Sequence, residues 1–306
     1  MSKAGARRRQ RNQRQQSRSA IERPSTRSEG APSRAVGRRA SRRRWLTGPL
    51  PTVAAVLVVG AVIVAFVIMS RAGQEGSRPT SHDASAAVVS DVTGVSPGII
   101  DAVGSGGLKN PLKPATQSPP LAGPSGKPEV LYIGAEYCPY CAAERWSLVV
   151  ALSRFGSFQN LGLTSSASDD IYPSTPTFTF YGSSFQSSSI EFASVELQKR
   201  DRSPLQAPTA EQQRLMSASD PQGSIPFIDV GGRYVGIGSG YVPDVLSGKD
   251  AQQIANALSD QQSPITRAVV GNANWLTAGI CQATGGQPQS VCNDPAIQSL
   301  EAQFGG

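Results

Sequence analysis

The feature that most limits how this chain can fold is a run of 26 residues without a single charge, bounded by Arg44 and Arg71. Its centre, Val53 to Met69, is almost wholly Val, Ala, Ile, Leu, Phe and Met. In a helix rising about 1.5 Å per residue, roughly 20 apolar residues cross a hydrocarbon core of about 30 Å. Gly48, Pro49 and Pro51 mark the start of the run, and Trp45 suits an interfacial position. Arg38, Arg39, Arg42, Arg43 and Arg44 crowd one side, against Arg71 and Arg78 on the other. The positive-inside bias then places residues 1–44 in the cytoplasm and the chain after 71 outside. A cleaved signal peptide has a shorter basic region and only about 7–15 apolar residues. A buried core helix would not sit behind five arginines. Residues 45–70 are therefore expected to be a signal anchor held in the lipid bilayer of the cell membrane.

Charge divides the chain at the same place. Residues 1–44 hold 15 of the 29 basic residues and two of the 22 acids, a net of +13. The remainder, with 14 basic and 20 acidic residues, is net −6. A basic tail without apolar periodicity on an acidic body is not the charge distribution of a nucleic-acid-binding domain. It reads as disordered, orienting the anchor and attracted to anionic headgroups. Residues 71–87 have linker composition and contain His82, the chain's one histidine. Serine or cysteine proteolysis and His-rich metal chemistry would each need that imidazole, so the linker setting disfavours them.

The region from 88 to 306 carries the folded domain. Ser96-Pro97 can start a short helix. Val130-Leu131-Tyr132-Ile133, ended by Gly134, is apolar, β-branched and aromatic, as in a buried strand. Cys138 to about Phe155 reads as a helix, with Pro139 suited to its first turn and Trp146, Val149, Val150 and Leu152 at helical spacing. Gly156 is expected to end it, and Asn160–Ser165 to form a second strand. Thr177–Tyr181 and Ile190–Val195 both alternate and predict a hairpin within an inserted region of about 169–206. Ala210–Met216 is a helix. Phe227–Val230, Gly231-Gly232 and Arg233–Ile237 form a hairpin with a glycine turn. Asp250–Leu258 and Pro264–Ile280 are C-terminal helices.

Cys138-Pro139-Tyr140-Cys141 carries the most chemistry. Two residues between cysteines at a helix start bring both sulfurs within bonding distance. The first then faces unpaired backbone N–H groups and the positive end of the helix dipole. That setting can lower a thiol pKa from about 8.5 to between roughly 3.5 and 7.5, which makes Cys138 a nucleophile and leaves Cys141 to resolve the mixed disulfide. Half of a zinc site, or an inert disulfide, has the same spacing. Cys281 and Cys292 are spaced for a structural disulfide, worth up to roughly 3 kcal/mol by loop closure, or for a second redox pair in relay with the first. Asn272, Asn274 and Trp275 are expected to pack or face solvent.

Ile133-Gly134-Ala135-Glu136-Tyr137-Cys138-Pro139-Tyr140-Cys141 resembles the active-site strand and loop of the thioredoxin superfamily, with the Pro-Tyr dipeptide typical of glutaredoxins. Ser224-Ile225-Pro226-Phe227 resembles that superfamily's cis-proline loop. The resemblance implies an α/β thioredoxin-like fold: a central mixed sheet flanked by helices, with an inserted hairpin region, preceded by one transmembrane helix. It also implies Pro226 packed against the cysteines, and Ile225 and Tyr137 contacting an extended substrate segment. Over roughly residues 88–300 the chain is similar to a prokaryotic, membrane-anchored family known as domain of unknown function 929, in GKPEVLYIGAEYCPYCAAERW, ALSRFGSF, YPSTPTFTFYG and the C-terminal cysteine region.

Two departures stand out. Thioredoxins place a buried carboxylate about where this chain has Tyr132, whereas Glu136 and Glu144 are expected to be solvated. The 85 residues from Cys141 to Pro226 exceed what a minimal thioredoxin needs, and the surplus is assigned to the insertion.

The expectation is a membrane-anchored, extracytoplasmic thiol–disulfide oxidoreductase. Its substrates would be protein thiols and disulfides, with a membrane or extracytoplasmic redox partner and without nucleic acid, cofactor or metal. The alternatives are a redox-inactive binding or assembly module of the cell envelope, and a soft-metal handler using the two thiols.

Overall fold

The computed structural model describes residues 86–115 and 120–304. The basic tail, the apolar run 45–70 and His82 lie outside the described residues. Among the described residues no helix is long and apolar enough to cross a membrane.

Two short helices, α1 (Ala86–Thr93) and α2 (Pro97–Val103), open the described chain. Ser96 caps α2, its side chain accepting from the Ile99 N–H ahead of Pro97. Strand β2 (Glu129–Gly134) then enters a five-stranded mixed sheet. It runs parallel to β7 (Glu191–Glu196), with Glu129 opposite Glu191 and Gly134 opposite Glu196. On its other side it runs antiparallel to β8 (Phe227–Val230), with Ile133 opposite Phe227. Strand β9 (Tyr234–Ile237) pairs antiparallel with β8 through the expected glycine turn, where Gly231 and Gly232 have φ of 63° and 70°. The three-residue β1 (Leu112–Pro114) closes that edge against β9.

The uninterrupted apolar run of β2 has its reason in the two faces of this sheet. Val130 and Tyr132 belong to the larger core, with Trp146, Val149, Val269 and Leu276. Leu131 and Ile133 point to a second core with Val195, Phe227, Val235 and, from α4 (Ala210–Ser219), Leu215 and Met216. A strand covered on both faces has no solvent side to keep polar.

Helix α3 (Pro139–Ser153) follows β2 and is buried along nearly its whole length, which explains why apolar residues occur on every side of it. It packs against α6 (Pro264–Thr284), and the Ser147 hydroxyl donates to the Val269 carbonyl at 2.9 Å. Gly285, left-handed at φ 64° and ψ 38°, ends α6. Helices α5 (Ala251–Ala257), α7 (Gln289–Cys292) and α8 (Pro295–Glu301) complete the C-terminal region.

The expected hairpin between 177–181 and 190–195 does not form. Four short strands lie between α3 and β7. Of these, β3 (Gly156–Gln159) pairs with β6 (Ser184–Ser187), and β4 (Gly162–Ser165) with β5 (Pro176–Thr179). Residues 191–196 instead form the edge strand of the central sheet. Alternation identifies a strand but not its partner, and an edge strand with polar alternate positions reads like a hairpin arm. Gly156 likewise begins β3 rather than closing the helix, which ends at Ser153. Phe158, Phe180, Phe185 and Phe192 interlock with ring centroids 4.9–6.0 Å apart and fix these small sheets to β7.

Candidate functional site

Cys138 is the N-cap of α3, at φ −76° and ψ 121°, with Pro139 beginning the helix. Its sulfur accepts the Cys141 N–H at 3.2 Å, in the place an N-cap oxygen usually takes. Cys138 is 6% exposed, Cys141 is wholly buried, and both are unbonded thiols. Hydrogen bonding from the Cys141 thiol, helped by the Cys141 and Tyr140 N–H groups and the Arg145 charge, holds Cys138 below the ordinary thiol range against the opposing effect of burial. Burial, with the hydrogen bond to Cys138, pushes Cys141 well up. One turn of helix thus sets the two thiols apart, the slightly exposed sulfur shifted toward the thiolate and the wholly buried one away from it.

The peptide bond Ile225–Pro226 is cis, and the Ile225 carbonyl lies 4.0 Å from the Cys138 sulfur. Two sets of hydrogen bonds hold this loop. The Asp220 carboxylate accepts the N–H groups of Gln222 at 3.1 Å and Ser224 at 2.5 Å, and Gly238 N–H donates to the Pro226 carbonyl at 2.8 Å. Ala135, Tyr137, Leu197 and Ile225 form the apolar wall round the two sulfurs. Tyr137 accepts the Ala167 N–H on its carbonyl at 2.9 Å, and its half-buried ring lies 5.2 Å from the Arg202 guanidinium carbon. Tyr140, exposed within the motif, meets Tyr172 edge to face at 5.9 Å. The expected residues Cys138, Cys141, Tyr137, Ile225 and Pro226 are therefore brought together at one end of the sheet.

Glu136 and Glu144, expected to be solvated, are both buried. Glu136 accepts the Thr179 hydroxyl at 2.7 Å, and burial raises its pKa despite that bond. Glu144 accepts from the Gly240 N–H at 3.0 Å and from Asn272 Nδ2 at 2.8 Å, and burial pushes it up to about 7. Asn274 donates to the carbonyls of Ile100 and Gly104 at the end of α2, and Trp275 to the Leu108 carbonyl, so this stretch of α6 packs and links elements. Sequence reasoning also missed Arg145, which is wholly buried and pairs with Glu196. A usable signal existed, since any polar residue inside a helix that is apolar on every side is forced inward.

Cys281 and Cys292 are buried and disulfide-bonded, tying the end of α6 to α7. Among the described residues they form, with Glu301, the one set of three Cys, His, Asp or Glu ligand atoms close enough to share a metal ion. Both sulfurs of that set are consumed by the bond between them. No third such ligand joins Cys138 and Cys141 among the described residues.

Residues 113–222 match the family described as Domain of unknown function (DUF929). The match is narrower than the 88–300 expected, covering the cysteine motif, Arg145 and Glu196 and stopping before Ile225-Pro226. No curated protein and no solved structure matches the chain.

Proposed function

We propose that this protein is a thiol–disulfide oxidoreductase with a thioredoxin-like fold. The observation that carries the reading is the Cys138 sulfur: it caps a helix 3.2 Å from the Cys141 N–H and lies 4.0 Å from the carbonyl of a cis-proline loop. The strand order β7-β2-β8-β9, with α3 and α6 over one face and α4 over the other, supports the fold. In the exchange, the Cys138 thiolate attacks a substrate disulfide and expels one substrate sulfur. Cys141 then displaces the other and closes the Cys138–Cys141 bond. Run backwards, the same steps deliver a disulfide to a substrate dithiol. The Ile225 carbonyl and the ring of Tyr137 flank the path to Cys138 and would hold an extended substrate segment.

A stabilised Cys138 thiolate favours the reduced pair and moves the potential upward from that of a pair of ordinary thiols. The apolar run 45–70 and its arginine flank support anchoring in the cell membrane with the catalytic domain outside, where protein disulfides persist. The test is oxidative refolding of a reduced, unfolded disulfide protein in glutathione buffer. The parent protein should accelerate it and Cys138→Ser should not. Equal rates with the parent and the variant would refute the reading.

A further inference from the structure

Beneath the two sulfurs lies a polar cluster with no part in the steps above. Arg145, one helical turn beyond Cys141, is wholly buried. Its Nε donates to Glu196 Oε1 at 2.8 Å and its Nη2 to Oε2 at 2.6 Å. The parallel register that sets Glu196 opposite Gly134 brings this carboxylate under the motif. Glu196 is itself held: Phe180 N–H donates to its carboxylate at 3.4 Å, and its own N–H donates to Gln206 at 2.8 Å.

Two donors remain over. Arg145 Nη1 and the Tyr132 hydroxyl are buried without a hydrogen-bond partner. They belong to one site, since the guanidinium carbon lies 5.7 Å from the centre of the Tyr132 ring. The Tyr132 hydroxyl also fills the space where a Cβ on Gly134 would sit, at the point where β2 leads into the cysteine loop. The Arg145 charge bears on both sulfurs and favours their thiolate forms. Unmade buried donors are costly, and such groups gain their partner where charge develops during a reaction. The buried sulfur of Cys141 is such a place.

We infer that Arg145 and Tyr132 are positioning residues for the second half of the exchange, their spare donors stabilising the Cys141 thiolate as it attacks the Cys138–substrate disulfide. The inference rests on the redox reading above. Cys141 gives up its proton, the Cys141–Cys138 S–S bond forms, and the Cys138–substrate S–S bond breaks. The substrate sulfur leaves with the electron pair and takes up a proton. Cys141 and Cys138 end oxidised, and the substrate ends reduced.

The chain has four cysteines, of which two are already bonded to each other, so an aryl disulfide reagent reads the remaining pair cleanly. Reduced full-length protein mixed with dithiobis-nitrobenzoate should release one thionitrobenzoate as Cys138 is capped and a second as Cys141 resolves. Tyr132→Phe should leave the first release unchanged, slow the second ~10-fold near neutral pH, and move its pH profile up by about one unit. Arg145→Met alone would leave Glu196 buried and unpaired. It is therefore combined with Glu196→Leu, and that pair should slow the second release at least as much. A merely structural role would not move the pH profile. Second releases at the parental rate and pH profile in Tyr132→Phe and the folded double variant overturn the inference. If the double variant does not fold, Tyr132→Phe decides alone. A parent that never gives a second release overturns the redox reading and this inference with it.

Discussion

Replacing Glu144 by Gln should remove a large pH dependence from the stability of this fold. Glu144 projects from α3 toward α6 and the loop after β9, is 2% exposed, and accepts two neutral hydrogen bonds. Burial lifts its pKa from 4.5 to about 7. Below about pH 4.5 the folded and unfolded chains both hold the proton. Between about 4.5 and 7 only the unfolded chain has released it, so stability falls as pH rises through that window and levels off above it. At about 1.4 kcal/mol per pH unit, the loss amounts to about 3 kcal/mol. Gln fills the same space and does not titrate, so any fixed cost of the amide cancels in the comparison. Urea unfolding of the full-length parent and variant, measured across the window, should therefore show the variant gaining about 3 kcal/mol on the parent from low to high pH. In a domain of this size that is a shift of roughly 6–12 °C in Tm. A stability difference that stays constant across the window would refute the burial argument.

Cys141→Ser should trap a mixed disulfide on Cys138, seen as a gel shift that reductant reverses, whereas Cys138→Ser should trap none. Glu196→Gln leaves the buried Arg145 charge unpaired and should lower stability by about 3–5 kcal/mol in denaturant unfolding. Arg145→Met with Glu196→Leu should recover most of that loss. Cys281→Ser with Cys292→Ser should cost up to about 3 kcal/mol of stability while leaving exchange at Cys138 intact. Loss of exchange in the folded double serine variant would point to a relay between the two cysteine pairs.

The elements that frame the site were legible because their patterns have one reading. A four-residue apolar run ended by Gly134 can hardly be anything but a buried strand. Gly231-Gly232 supplies the positive φ that the β8–β9 turn requires. Cys138 followed by Pro139 announces a helix start. Strand β7 was legible as a strand but not as a neighbour of β2, since its pairing depends on residues about 60 positions away in the chain. The buried charges were hidden for a related reason. Glu136 and Glu144 read as solvated because the partners that meet them, Thr179 and Asn272, lie 43 and 128 residues away. Sequence spacing reports local geometry well and can show that a polar residue is turned inward, but it does not name the distant partner that offsets the cost of burying the charge.

The central claim is that Cys138 and Cys141 interconvert between dithiol and disulfide within a biological range of potential. The most direct test is to equilibrate full-length protein in graded glutathione buffers and count free thiols by alkylation gel shift. The account predicts a two-electron transition between about −270 mV and −120 mV, the span of known oxidoreductases, that vanishes in Cys138→Ser. A pair that stays wholly reduced or wholly oxidised across that range would contradict it.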